Sequence, residues 1–135
     1  MVAFIEARVD RNLSEADRES ARLRAFFKFL VEMPEFLRIL NEAEFFAPAG
    51  YEHHLKTVAA DYVRIFNRGK HHDKRLAEFS DAELEVVVHI LLGARSYLGQ
   101  HYCFDKGTVH PIPEHVISSY IKLLNGGLFE QPARR

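Results

Sequence analysis

The run EVVVHILLGARSYLGQHY, residues 85–102, constrains this chain more than any other segment, because it is helix-forming yet apolar around more than one face. Between Leu84 and Leu98 the apolar positions are 84, 86, 87, 88, 90, 91, 92, 94, 97 and 98. A helix laid against a single layer needs only one apolar stripe. Leu84, Val87, Val88, Leu91 and Leu98 supply a stripe for the body of the domain. Val86, Ile90 and Tyr97, with Leu92 at the edge, then require a second cover. Gly93 and Ala94 let another backbone come close, a use that offsets the cost of about 1 kcal/mol for a mid-helix glycine.

Either the chain's own helices wrap this segment as the centre of one bundle, or a second copy covers it. A final helix from Pro113 to Leu124 carries two adjacent apolar columns of its own, Val116/Tyr120/Leu124 and Ile117/Ile121/Leu128. That doubling favours the second copy. The last two helices are then expected to form half of an intersubunit four-helix bundle, with Val86, Ile90, Gly93, Tyr97, Tyr120 and Leu124 at a self-complementary twofold seam.

Helical periodicity runs through the rest of the chain, and strand alternation is hard to find. Val2, Ile5 and Val9 mark a short helix ending near Asn12. Ser14 and Asp17 resemble a capping box for a helix over 15–32, which Pro34 ends. Phe36, Leu37 and Leu40 continue a third segment until Ala47-Pro48-Ala49-Gly50 breaks it. Leu55, Val58, Ala59, Tyr62, Ile65 and Phe66 give the cleanest stripe, over 51–67, with Gly69 as its stop. KHHDKR reads as a solvated connection with an extra helical turn near Leu76. Ser80 or Asp81 caps the penultimate helix, CFDKGTVHPIP is a loop, and Asn125-Gly126-Gly127 stops the last helix. The tail QPARR is expected to be mobile. The expectation is an all-α, orthogonal bundle of five to six helices, one domain over 1–135.

The segment RLRAFFKFLVEMPEFLRILNEAEFFAP (22–48), the helix after it, and DAELEVVVHILLGARSYLGQHY resemble the C-terminal effector-binding and dimerisation domain of the TetR family of transcriptional regulators. The features that carry the likeness are Pro34-Glu35-Phe36 after an apolar helix, Asn41-Glu42-Ala43-Glu44, and Leu92-Gly93-Ala94-Arg95 at a helix centre before a C-terminal amphipathic helix. The likeness covers about 15–128. It implies a TetR-type C-terminal domain with a small-molecule pocket inside each subunit, whose occupation alters the spacing of DNA-reading heads. Family members open with a helix-turn-helix domain of about fifty residues, whereas only fourteen residues precede the aligned segment here. No DNA-binding domain and no specific operator binding by this chain alone are therefore expected.

Eighteen basic residues against nineteen acidic ones give a formal charge of -1, which supplies no global attraction to nucleic acid or anionic membrane. One cysteine, Cys103, precludes an internal disulfide, and no run of eighteen apolar residues or signal-peptide pattern is present. A cytoplasmic location without membrane partners is expected. Eleven phenylalanines and no tryptophan indicate a ring-rich interior. Phe26, Phe29, Phe45, Tyr62 and Phe66 are candidates to line a pocket for a small apolar or aromatic effector. His89, within VVVHILL, is read either as a core histidine paired to Glu85 or a backbone carbonyl, or as a group orienting the ligand. Arg95 either meets an acid at the dimer seam or offers charge to an anionic effector.

The paired histidines His53-His54 and His71-His72 point about 100° apart on a helix and do not close on one ion. Neither HExxH nor a pair of Glu-x-x-His motifs is present, so no metal or cofactor is expected. No phosphate loop, GxSxG elbow or specified Cys-His pair occurs, and no enzymatic activity is expected. The alternative to a ligand-binding regulator is a helical interaction or structural homodimer without a ligand.

Overall fold

The computed structural model describes residues 1–10 and 12–130. Among the described residues there are six α-helices: α1 (Val2–Glu6), α2 (Glu15–Glu32), α3 (Glu35–Phe46), α4 (Pro48–Gly69), α5 (Asp81–Tyr102) and α6 (Glu114–Gly126). A 3-10 turn, Leu76–Glu78, supplies the extra turn expected between α4 and α5. The all-α expectation holds. The one addition is a two-stranded hairpin, β1 (Phe104–Asp105) against β2 (Thr108–Val109), where the sequence pattern predicts only a loop. Its turn residues Lys106 and Gly107 sit at φ 48° and 85°, the left-handed geometry that two-residue hairpin turns require.

Local chemistry sets most of the boundaries. Ser14 accepts a hydrogen bond from the Asp17 amide at 3.2 Å, which satisfies one free donor at the start of α2. At α5 the box is complete. The Glu83 amide donates to Ser80 Oγ at 3.1 Å, and the Ser80 amide donates to Glu83 Oε1 at 2.9 Å. Helix α1 is shorter than predicted: it ends at Glu6, and further on Asp10 Oδ1 accepts the Asn12 amide at 2.9 Å in the turn that leads to α2. The expected break at 47–50 is confined to Ala47, which alone lies outside helix between α3 and α4. Pro48 occupies the first turn of α4, where its missing amide proton costs nothing and its fixed φ suits the helix. The expectation for residues 131–135 lies outside the described residues.

Helix α2 is the spine. Helices α1 and α6 lie on it, while α4 packs between α3 and α5. Leu23, Leu30, Leu37, Tyr62, Leu84, Val88 and Cys103 are fully buried in the shared core, each large apolar side chain contributing about 1.5–3 kcal/mol by leaving water. Gly99 brings α5 close to α2: a Cβ there would lie 3.1 Å from Leu30 Cδ1. Helix α6, thirteen residues long, packs chiefly on α2, and an exposed apolar groove separates it from α5. Among the described residues no helix is long and apolar enough to cross a membrane.

Candidate functional site

Two apolar stripes run into charge at the centre of the fold. On α2 the buried register Leu23, Phe26, Phe27 and Leu30 extends one turn back through Glu19 and Arg22. On α5 the register Leu84, Val88 and Leu91 continues through Arg95 to Gly99. Periodicity alone therefore carries Glu19, Arg22 and Arg95 inside, where they are 4%, 2% and 2% exposed.

The network is asymmetric. Arg95 Nη2 donates to Glu19 Oε1, and Tyr120 Oη donates to the same oxygen at 3.2 Å. Arg22 Nη1 donates to Glu19 Oε2 at 3.5 Å, and Arg22 Nε donates to Glu6 Oε1 at 3.0 Å. Aromatic faces fill the remaining sides. The Arg95 guanidinium lies 4.7 Å from the centre of the Tyr62 ring, and that of Arg22 lies 5.5 Å from Phe66. Burial works against the Arg95 charge, but Glu19, Tyr62 and Tyr120 together outweigh it and raise the pKa above the ordinary arginine value. Burial, with the Glu19 charge, raises the Tyr120 pKa, and burial raises that of Tyr62 against the opposing pull of Arg95. Both phenols stay protonated at neutral pH, and Tyr120 donates to Glu19.

Three polar atoms of this cluster form no well-aligned hydrogen bond within the protein, Arg95 Nε, Arg95 Nη1 and Tyr62 Oη, although Arg95 and Tyr62 lie against each other. Arg95 and Tyr62 also form part of the wall of an otherwise apolar cavity of about 80 Å³. Met1, Phe26 from α2, Phe36, Leu37 and Leu40 from α3, Val58 from α4 and Leu92 from α5 form the rest of the wall, and exposed Leu55 and Ser96 reach the surface. His54 also lines the cavity, and burial lowers its pKa. Cys103 lies elsewhere in the core, its pKa pushed up to about 11 by burial, so it is a packed thiol. No group of His, Cys, Asp or Glu among the described residues could hold a metal ion.

Of the residues selected from sequence, Phe26 and Tyr62 line this cavity. Phe29 is buried but packs edge-on against Phe4 and Phe36, with ring centres 5.3 and 4.9 Å away. Phe66 is buried beneath Arg22. Phe45 does not line a pocket: it is 79% exposed, because at 100° per residue it lies about 180° around α3 from Phe36. His89 is not a core histidine either. It is exposed beside Lys56, Val63 and Glu85 on the outer face of α5 and α4, more than about 100° from Leu84 and from Arg95.

At the expected seam, Val86, Ile90 and Tyr97 are 57%, 62% and 70% exposed, and Leu124 is also exposed. A Cβ on Gly93 would meet open space. Tyr120 differs from this set, because its ring floors the groove between α5 and α6 while its hydroxyl is committed inward to Glu19. Sequence reasoning missed Glu19 and Arg22. The available signal was their place in the register of the α2 stripe, three and four residues before apolar core positions. Comparison with known protein families, curated proteins and solved structures yields no match.

Proposed function

We propose that this chain is a non-enzymatic effector-binding and dimerisation domain of the TetR-like kind, which takes a small ligand into the cavity beneath Arg95. The observation that carries the reading is the pairing of an apolar wall with three buried polar atoms that form no well-aligned hydrogen bond within the protein. A buried donor without an acceptor costs about 1–3 kcal/mol. A guest that supplies acceptors recovers that cost, and apolar walls with a few convergent polar groups are the usual form of a ligand site.

The same helix supports a coupling between ligand and partner. Arg95 faces inward from α5, while Val86, Ile90 and Tyr97 of α5 face outward toward the proposed second copy. A guest that shifts Arg95 shifts the seam residues with it, which biases the geometry of a dimer. Attached reader heads would then be spaced differently in the two states. The exposed apolar face on its own also supports a second reading, a homodimer without a ligand.

Ligand-observed NMR with a panel of small alcohols, amides and carboxylates separates the two. Saturable binding of at least one class is expected, and Leu55→Trp, which plugs the mouth from an exposed position, should abolish it. If no class binds, or if the plug has no effect, the effector reading is wrong and the ligand-free homodimer stands.

A further inference from the structure

We infer that the guest of this cavity is a small carboxylate with a short aliphatic tail, its head on Arg95 and Tyr62 and its tail toward the mouth at Leu55. The inference rests on reading the cavity as a ligand site, and adds the ligand's chemical class.

The charge arrangement supports it first. At this cluster the buried charged residues are Glu19, Arg22 and Arg95, one negative against two positive; the Glu15 carboxylate is also buried and pairs with Arg18. The carboxylate that balances Arg22, Glu6, stands at the rim with its side chain 35% exposed. Glu19 is shared by Arg22, Arg95 and Tyr120. Two nitrogens of Arg95 are left over for a guest, although Glu19 already holds the guanidinium in its charged form.

The polar atoms select further. A guanidinium offers only donors, and a protonated phenol can donate as well. Such a head site discriminates in favour of a group that only accepts. An ionised carboxylate does so, whereas an amide or alcohol brings hydrogens of its own.

The walls set the rest of the molecule. Phe26, Leu37, Leu40, Val58 and Leu92 offer an apolar surface to a tail, and the polar lining besides Arg95 and Tyr62 is His54, Ser96 and the Met1 end of the chain. A volume of about 80 Å³ is roughly half that of an engineered cavity of about 150 Å³ that admits benzene. On that scale the enclosed tail has about three or four carbons.

The test uses the full chain at pH 7 with butyrate, butyramide and 1-butanol, followed by NMR of tyrosine ring and arginine Nε–H signals. Butyrate should bind at least about tenfold more tightly than either neutral analogue, the difference expected of charge-assisted hydrogen bonds. It should also move the Arg95 Nε–H resonance. Tyr62→Phe keeps the buried ring and forms no new contact, so the variant should fold, and it should weaken butyrate about fivefold. Equal binding of all three probes, preference for a neutral one, an unmoved Nε–H signal at saturation, or an unchanged affinity in Tyr62→Phe would each overturn the carboxylate assignment and leave the cavity a ligand site. If none of the three binds while another class from the wider panel does, the carboxylate assignment alone falls; if nothing in either set binds, both fall.

Discussion

Glu19 is the residue on which the interior turns, because three donors from α2, α5 and α6 converge on its two oxygens. Removing it would leave Arg95 buried without its carboxylate and Arg22 with Glu6 alone. Glu19→Ala is therefore expected to destabilise the fold by about 3–5 kcal/mol, the range for breaking a buried pair from one side. Adding Arg95→Met should recover much of that loss, since an apolar replacement of a whole buried pair is often neutral. Urea unfolding of the single and double variants checks both; a double variant no more stable than Glu19→Ala alone would show that the charge is not what the core must compensate. At this scale the sequence was only partly legible. Arg95 stands out within an apolar helix, but its acid lies 76 positions away, and nothing in local spacing links the two. Phe45 and His89 could have been set aside from sequence, because their angular positions on α3 and α5 oppose the buried registers. Treating each residue as a chemical type rather than as a point on a helical wheel hid this.

Helices were far easier to read than sites, since each start and stop is decided by a few neighbouring atoms. Ser80 illustrates the point. Its reciprocal bonds with Glu83 fix the start of α5 and depress the Glu83 pKa. Ser80→Ala should cost about 1 kcal/mol, visible as a lower urea midpoint with an unchanged slope; a loss below a few tenths would mean that packing alone sets this helix end. The misread elements have equally local causes. Ala47-Pro48-Ala49-Gly50 looks like a long interruption, yet a proline in a first turn and one non-helical alanine shorten it to a single joint. The Lys106-Gly107 hairpin was obscured because lysine is an uncommon occupant of its φ 48° position, and each of its strands is only two residues long.

For the whole molecule, the all-α architecture followed from periodicity, whereas the packing order did not. Helix α6 lies chiefly on α2 although its sequence is equally suited to α5, because apolar columns state how much surface must be covered without naming the neighbour. The outward face of α5, with Ile90 62% exposed, belongs to this scale too. If a second copy covers it, Ile90→Glu with Leu124→Glu should convert a dimer to a monomer at micromolar concentration, as like charges are brought together in a self-complementary contact. Sedimentation velocity reads the result directly. A wild-type monomer, or a variant that still dimerises, would remove these two positions from any interface.

Ala47, at φ -142° and ψ 60°, has one consequence for the chamber beside it. Helix α3 supplies one side of that chamber and α4 another, and this residue is all that separates them. The two walls therefore meet like the covers of a book at one spine, and the packing of α3 on α4 and of α4 on α5 holds them at their present spread.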